Sequence, residues 1–221
     1  MGSPRSSTGT RPLTPKGHET RQRIVDAAAR LIFEKGVAHT TIEDVRAAAD
    51  VSSSQLYHYF DDKPALVRAV IDHQADILVS NQARFDLSDL KGLREWRDWV
   101  VALQRSTGCR GGCPIGSLGS ELAESEDLAR THVAEGFTRW EIELRRGLRE
   151  MQASGRLAPE ANPDALALAL LTALQGGLLL TQIQRDTAPL EAVLDSMLEL
   201  IAILARDEKR RSSRDDRLKN P

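Results

Sequence analysis

The chain has 221 residues, of which 41% are hydrophobic and only 4% aromatic, and its formal net charge is −2 at pH 7. This length suits one large or two small domains, and the small net charge excludes a globally basic nucleic-acid-binding protein. β-Branched residues form no alternating runs, and we find no nucleophile with an acid/base partner and no Gly-rich phosphate loop. We therefore expect an all-α protein that is not an enzyme and holds neither a cofactor nor a metal ion.

The N-terminal residues 1–16 are rich in Ser, Thr, Pro, Gly and Arg, which is typical of a flexible arm. Five Lys and Arg side chains lie in residues 1–23, against a single acid, Glu19. Such an arm could follow DNA phosphates or enter a minor groove, or it could be an ordinary disordered terminus. It lacks the apolar core of a secretory signal, so we expect a cytoplasmic protein without a structural disulfide.

A first helix is predicted from His18 to Lys35 by an apolar stripe at helical spacing, and Gly36 is its natural stop. This helix should pack across the two short helices that follow and hold them rigid. We place the first of these after Thr41, a good N-cap with Asp44 as its capping-box partner. Its expected buried face consists of Ile42, Val45, Ala48 and Ala49.

The second short helix should begin after a turn at Asp50, with Ser52 as its N-cap. Leu56 and Phe60 are four residues apart and should face the core. The side chains that should point outward are Ser53, Ser54, Gln55, Tyr57, His58 and Tyr59. Exposing them gains nothing in water, but in a major groove they can bond phosphates and base edges. The pattern predicts a helix-turn-helix motif whose second helix meets the bases with its N-terminal residues.

This segment resembles the DNA-binding domain of the tetracycline-repressor (TetR) family, and the stretch LYHYFDDKPAL at 56–66 is close to the usual form of that family. The matching residues are Ile24, Ala27, Ala28, Leu31, Phe33, Gly36, Thr41, Ile42, Val45, Ala48, Ala49, Val51, Ser52, Leu56, Tyr57, Tyr59, Phe60, Lys63 and Leu66. One departure is Asp50, where the family usually has glycine. We expect a positive φ at this position, which Asp tolerates better than most residues at a small cost in stability.

The resemblance implies a role for each exposed residue of the motif. The implied base readers are Ser53, Ser54 and Gln55, next to the N-cap Ser52, and the implied phosphate or thymine-methyl contacts are Tyr57, His58, Tyr59 and Lys63. Thr41 would place the N–H groups of its helix on the DNA backbone, and Glu43 could reach a base. The resemblance also implies a homodimer that represses transcription from pseudopalindromic, double-stranded operator DNA.

We expect four segments along the chain. They are a basic arm (residues 1–16), a helix-turn-helix DNA-binding domain of three helices (17–65), an effector-binding and dimerisation domain (66–206) and a disordered charged tail (207–221). The periodicity predicts about nine helices in total.

The third segment is where the resemblance puts a small-molecule effector, which we expect to be apolar or aromatic. The candidate pocket residues are Trp96, Trp99, Leu103, Cys113, Phe137 and Trp140. For any one of them, a place in the ordinary core is the alternative. The stretch GGCPIGSLGSELAE at 111–124 resembles a motif in some C-terminal domains of the family, and it does not identify the effector.

Residues 165–184 carry no charge over a length that could span a bilayer. Polar residues and a Gly-Gly pair interrupt this run, so we reject a membrane span and expect burial on several sides. With a final helix from about Pro189 to Arg206, it would form a four-helix dimer interface. The expected interface residues are Leu174, Gly176, Gly177, Leu178, Val193, Met197, Ile201 and Leu204, with the two glycines permitting close helix approach.

The two cysteines suggest an alternative function, a thiol-based redox or electrophile switch in the same fold. Cys113 lies near a predicted helix N-terminus and near Arg110, which would lower its thiol pKa. The other interpretation makes Cys113 a small core residue and Cys109 an incidental loop thiol. A metal site that adds His73 or His132 is disfavoured, because CxxxC with a distant histidine is not a known ligand spacing.

Overall fold

The computed structural model describes residues 13–219, and it describes their side chains as far as residue 205. In that part of the chain every regular element is an α-helix, which confirms the all-α prediction. The helices of these residues are α1 (Pro15–Lys35), α2 (Ile42–Ala48), α3 (Ser53–Tyr59), α4 (Lys63–Gln82), α5 (Leu90–Ser106), α6 (Pro114–Leu122), α7 (Asp127–Ala153), α8 (Pro163–Gln184) and α9 (Ala188–Lys219). The chain divides into two compact units, Met1–Leu66 and Val67–Pro221.

Helix α1 starts slightly earlier than expected because Thr14 caps it. The N–H of Gly17 donates to Thr14 Oγ1 at 3.1 Å, and Pro15 occupies the first helical position, where its missing N–H costs nothing. The helix ends at the predicted stop, Gly36, whose φ of 80° disfavours residues with a Cβ atom. Most of the expected basic arm, residues 1–12, lies outside the described residues.

Both short helices of the motif begin with a capping box. In α2 the predicted reciprocal bonds between Thr41 and Asp44 are present. In α3 the N-cap is Ser52 as expected, and its reciprocal partner is Gln55, which the sequence analysis assigned to DNA alone. Asp50, in the turn between the two helices, has a φ of 49°, so the predicted positive φ is confirmed.

The buried face of α2 is narrower than expected. Val45 and Ala49 are each 1% exposed, but Ile42 is only half-buried and Ala48 is exposed. The prediction for Ala48 is wrong because α2 is so short: only the line through positions 45 and 49, four residues apart, meets the core. In α3, Leu56 is 0% exposed and faces the core as predicted.

In the second unit, α8 packs against α7 and α9, while α6 packs against α7 and α5 against α9. The largest fully buried side chains of these helices include Trp96, Leu144 and Leu170. Gly177 lets α8 and α9 come very close, since a Cβ atom there would lie 3.1 Å from the Cα of Leu190. Of the Gly-Gly pair, Gly177 therefore contributes to packing within one chain.

Helix α8 is apolar all round, but its own chain buries only one side of it. Apart from Asp164 and Gln184 at its ends, the exposed residues lie at helical spacing on the other side, and they are Ala165, Leu168, Ala169, Thr172, Gly176, Leu179, Leu180 and Ile183. Among the described helices, α8 alone is long and apolar enough to cross a membrane, and 44% of its most apolar window is buried. A helix that packs on its own core with one side and on a partner with the other has the same composition, so this is weak evidence for a span.

The backbone of α9 continues to Lys219, past the expected end near Arg206. The charged tail predicted for residues 207–221 lies outside the residues whose side chains are described.

Candidate nucleic-acid interface and effector cavity

Helix α3 presents a row of polar groups to solvent, as the motif predicted, except that Tyr59 is half-buried. Leu56 is fully buried and fixes the rotation of the helix, which leaves Ser53, Ser54, Gln55, Tyr57 and His58 exposed. The Tyr57 side chain is 53% exposed, which is high for a large aromatic ring. A solvent-facing aromatic and hydroxyl surface on a rigid short helix suits contact with phosphates and base edges.

The capping box of α3 restricts what Gln55 can read. The N–H of Ser52 donates to Gln55 Oε1 at 2.9 Å, and the N–H of Gln55 donates to Ser52 Oγ at 3.2 Å. One of the two lone pairs of the amide oxygen is therefore used inside the helix, which restricts the orientations in which Gln55 could form a bidentate contact with adenine. The Nε2 group can still donate to a base acceptor.

Thr41 and Glu43 at the start of α2 are also committed to local bonds. The N–H of Thr41 donates to Asp44 Oδ2 at 3.0 Å, and Lys35 Nζ lies 2.8 Å from the same oxygen. The bond from Lys35, followed by those from Thr41, holds the pKa of the Asp44 carboxyl well below its usual range. Glu43 lies 2.6 Å from the guanidinium of Arg46, which lowers the pKa of Glu43. A base contact by Glu43 would compete with this ion pair.

Several cations of the first unit hold it together, a role that the sequence analysis missed. Lys63 Nζ donates to the carbonyl of Val37 at 2.7 Å and so ties the start of α4 to the loop after α1. Arg23 Nε donates to the carbonyl of Ala49 at 2.9 Å, at the end of α2. An ammonium group has three donors and a guanidinium has five, so Lys63 and Arg23 each keep N–H groups that can donate to a phosphate.

The second unit contains a cavity of about 460 Å³ between α6 and α8. It is lined by Cys113, Gly116, Ser117, Ser120, Phe137, Thr172, Gln175, Gly176, Leu178, Leu179 and Gln182. Its volume lies within the range of small-molecule sites in proteins. Two of the six predicted pocket residues, Cys113 and Phe137, line it.

The other four predicted pocket residues lie elsewhere. Trp96 is fully buried core, and Trp140 is buried with its indole N–H bonded to the amide oxygen of Gln82. Trp99 contacts the ring of Phe85, with 5.7 Å between centroids. Leu103 is 41% exposed on the outer face of α5. The structure corrects these four assignments, because their apolar character is used in the core or at the surface.

The sequence did carry a signal for the cavity, but it lies in polar residues and not in aromatic ones. Thr172, Gln175 and Gln182 fall on one face of an otherwise apolar helix, and two serines of α6, Ser117 and Ser120, face them across the cavity. Polar residues at helical spacing within an apolar run mark a place where burial is incomplete or a polar group is needed.

The chemistry of Cys113 differs from the expectation. Burial raises the pKa of the Cys113 thiol, and the opposing N–H groups of Gly116 and Ile115 and the amide of Gln175 do not reverse this. A raised pKa leaves little of the reactive thiolate at neutral pH, so the expected lowering is wrong. Both cysteines, which lie in the described part of the chain, are buried free thiols. The structure therefore does not support the redox alternative.

The predicted dimer residues divide into two groups. Leu174, Leu178 and Ile201 are 0–5% exposed, and Gly177 is packed against α9, so their own chain already covers them. Gly176 is exposed, and the remaining ones, Val193, Met197 and Leu204, are half-buried. Four of the eight predicted residues therefore lie on the inner side of the helix pair, and Gly176 lies on its exposed side. No group of three or more His, Cys, Asp or Glu side chains in the described residues is placed to hold a metal ion.

Two family models match the chain, one over most of the first compact unit and one within the second. The family model described as "Bacterial regulatory proteins, tetR family" matches residues 24–70. The model described as "Tetracyclin repressor-like, C-terminal domain" matches residues 90–197. Together they cover the helix-turn-helix motif and α5–α8.

Known relatives extend over most of the chain. It is 25% identical over 182 residues to the HTH-type transcriptional repressor DhaR of Mycobacterium sp. (strain GP1), covering 82% of this chain and 91% of that protein. It is 29% identical over 184 residues to the transcriptional regulator AcuR of Cereibacter sphaeroides, covering 80% and 83%. A crystal structure of a TetR transcriptional regulator from Chloroflexus aurantiacus is 28% identical with a TM-score of 0.70, covering 85% of this chain and 96% of that one. Helix α3 of the helix-turn-helix is polar and exposed, two TetR family models match the chain, and the relatives are transcriptional regulators. The chain therefore belongs to the TetR family of DNA-binding transcriptional regulators.

Proposed function

We propose that this regulator is a repressor that binds a pseudopalindromic operator as a homodimer and is released when a small molecule occupies the cavity between α6 and α8. The observation that carries the DNA-binding part is the exposed polar face of α3, held by a capping box and by buried Leu56. One such helix covers few base pairs, so two copies on symmetric half-sites give a usable affinity. As a soluble regulator of this family, the protein works in the cytoplasm.

Dimerisation is supported by the exposed side of α8. Leu168, Leu179, Leu180 and Ile183 are 47–67% exposed on that side. Leu200 and Ile203, on the exposed side of α9, are 43% and 48% exposed. Large apolar side chains aligned on two helices that pack together form a contiguous patch, which is typical of an interface and costly in water. A second copy covers it with the same patch in a two-fold symmetric four-helix arrangement.

The cavity and this patch share residues. Thr172, Gly176 and Leu179 line the cavity and also lie on the exposed side of α8. A partner seated on α8 would therefore close the open side of the cavity, so that a ligand there touches the interface. Effector binding then selects one arrangement of the dimer over another, and the distance between the two recognition helices changes with it.

A second route for this coupling runs from α6 through α7 to α4. A Cβ atom at Gly136 of α7 would lie 3.2 Å from Cβ of Ala75 in α4 and 3.6 Å from Ile115 in α6, so the three helices meet there. Two ion pairs join α4 to α7 or its N-cap, Arg68 with Glu126 at 3.1 Å and Asp76 with Arg139. A hydrogen bond of 2.9 Å between His132 Nδ1 and Asp72 Oδ1 also links α4 to α7. Movement of α6 on ligand binding is thus passed on to α4, the helix that begins in the DNA-binding unit.

The test uses the purified full-length chain and the DNA upstream of its own gene. Fluorescence anisotropy should show binding that weakens steeply as salt is raised, because phosphate contacts release counterions. Tyr57→Ala should weaken binding to all sequences. Ile183→Asp, on the exposed side of α8 and outside the cavity, should give a monomer in sedimentation and lose operator affinity.

Two outcomes would contradict the proposal. Salt-insensitive binding, or none to any upstream fragment, would remove the DNA-binding role. An Ile183→Asp variant that remains dimeric and binds DNA as well as the unaltered protein would show that α8 is not the interface.

A further inference from the structure

The lining of the cavity between α6 and α8 is mainly apolar, contains several polar groups and carries no charge. Each of its eleven lining residues is uncharged: the polar ones are Cys113, Ser117, Ser120, Thr172, Gln175 and Gln182, and the apolar ones are Gly116, Phe137, Gly176, Leu178 and Leu179. A charged ligand enclosed here would lose its hydration without gaining an ion pair, which is strongly unfavourable. The lining therefore selects against ions of either sign.

One lining residue has a hydrogen-bond donor that meets only a weak acceptor within the protein. Gln175 Nε2 is buried and has no acceptor at hydrogen-bond geometry. The polar group beside this amide is the thiol of Cys113, which is a weak acceptor. An amide N–H group buried without a good acceptor is costly, so an acceptor on a bound molecule would recover that free energy.

The backbone of α6 and of the loop before it lies close to the Gln side chains of α8. A Cβ atom at Gly116 would lie 3.0 Å from Gln175 Oε1 and 3.2 Å from the Cβ of Cys113. A Cβ atom at Gly112 would lie 2.5 Å from Gln182 Oε1. Glycine at both positions lets the two amides reach across from α8, where their polar ends meet the cavity. The rest of the lining, Phe137 with Leu178 and Leu179, is apolar.

We infer that the effector is an uncharged, partly apolar small molecule that carries a hydrogen-bond acceptor, such as a carbonyl oxygen, and that Gln175 Nε2 donates to this acceptor. This inference rests on the proposed effector-controlled function and specifies its ligand class. It narrows the apolar or aromatic ligand expected from sequence to one with a polar, neutral head. The apolar body of the ligand lies against Phe137 and the leucines of α8.

Four probes of nearly equal size separate these features. Benzamide is neutral and has a carbonyl acceptor, benzoate is its anionic counterpart, benzylamine is cationic at pH 7, and toluene has no acceptor. A fragment this small binds with a Kd on the order of a millimolar. Binding to the full-length dimer is measured by ligand-detected NMR titration, with sedimentation and circular dichroism as checks of assembly and folding.

Benzamide should bind at least tenfold more tightly than benzoate or benzylamine. Gln175→Leu should weaken benzamide about tenfold, equivalent to about 1.4 kcal/mol, and leave toluene unchanged. The matched control is Gln184→Leu, the same substitution on the same helix outside the cavity lining, which should leave benzamide binding unchanged.

Benzoate or benzylamine binding as tightly as benzamide would overturn the neutral class. Unchanged benzamide binding in a folded, dimeric Gln175→Leu variant, or no binding of any probe, would overturn the assigned contact and site. The operator-binding assay runs in parallel: a protein that binds its operator but fails these probe tests remains a regulator with a different ligand. One that binds no DNA loses the proposed function itself, whatever the probes do.

Discussion

Gly177 of α8 and Leu190 of α9 lie so close that a Cβ atom at 177 would be 3.1 Å from the Cα of Leu190. The same atom would be 2.9 Å from Val193 Cγ1. The adjacent Gly176 differs completely, since a Cβ atom there would meet nothing within 4 Å. Two neighbouring glycines thus have opposite surroundings, because a step of one residue turns the side-chain direction by about 100° around the helix.

Gly177→Ala should therefore destabilise the protein by about 1–3 kcal/mol, since the backbone of Leu190 cannot move aside as a flexible side chain could. Gly176→Ala is the matched control, and it should be neutral or slightly stabilising because alanine favours helix. Urea denaturation of both variants measures the difference. Equal free energies of unfolding for the two would contradict the close packing.

Asp50→Gly should raise the free energy of unfolding by about 0.5–1 kcal/mol, because glycine adopts the φ of 49° found at Asp50 without strain. Asp50→Val, which tolerates this conformation poorly, should lower it. Thermal melts of the three proteins give the order. A glycine variant no more stable than the unaltered protein would mean that the Asp50 side chain offsets its backbone strain.

Gln55→Glu should separate the capping role of Gln55 from its DNA role. A glutamate at this position can still accept from the N–H of Ser52 and complete the capping box, so the melting temperature should change little. It loses the Nε2 donor and places a negative charge toward DNA, so operator affinity should fall at least tenfold. Gln55→Ala, by contrast, should lower both the melting temperature and the operator affinity. Operator binding of Gln55→Glu at the original strength would exclude this residue from the interface.

Asp44 should make the stability of the first unit sensitive to acid. Lys35 and Thr41 depress the pKa of Asp44 in the folded state. The stability it contributes is therefore fully present above the unfolded carboxyl pKa of about 4. It is lost as the pH falls below that value toward the folded pKa. Melting temperatures from pH 6 to pH 3 should drop less for Asp44→Asn than for the unaltered protein.

The control for this titration is Asp61→Asn, which alters an exposed carboxylate in the same unit. The melting temperature of the Asp61→Asn variant should depend on pH as that of the unaltered protein does. A profile for Asp44→Asn that follows the unaltered one at every pH would contradict a native-state role for the Asp44 carboxylate.

Gln82→Leu should destabilise the protein by about 1–3 kcal/mol, because it leaves the buried indole N–H of Trp140 without its acceptor. The double variant Gln82→Leu with Trp140→Phe removes donor and acceptor together, so it should be more stable than the sum of the single changes predicts. Denaturant unfolding of all four proteins completes the double-mutant cycle. Additive losses would show that this bond contributes nothing.

The local signals in the sequence were sufficient for the helices and for the motif. N-caps at Thr41 and Ser52, the stop at Gly36 and the positive φ at Asp50 depend on interactions within a few residues, so they can be read from neighbouring letters. The alternation of buried Leu56 with exposed neighbours follows from helical periodicity alone. This is why the all-α fold and the outward face of α3 were predictable.

The tertiary structure decided which side of each helix faces what. Trp96 and Trp140 were pocket candidates with the core as the alternative for each, and only the packing of distant helices assigned them to the core. Helix α8 is apolar on nearly all sides, so the sequence pattern does not show which side faces the core. For this reason several residues predicted for the dimer interface lie against the core of their own chain. Gln175 and Gln182 of α8 line the cavity because they lie against Gly116 and Gly112, some 60 residues or more earlier in the sequence. The sequence by itself therefore determined what each segment is, and the contacts between segments determined which of its residues remain free to bind.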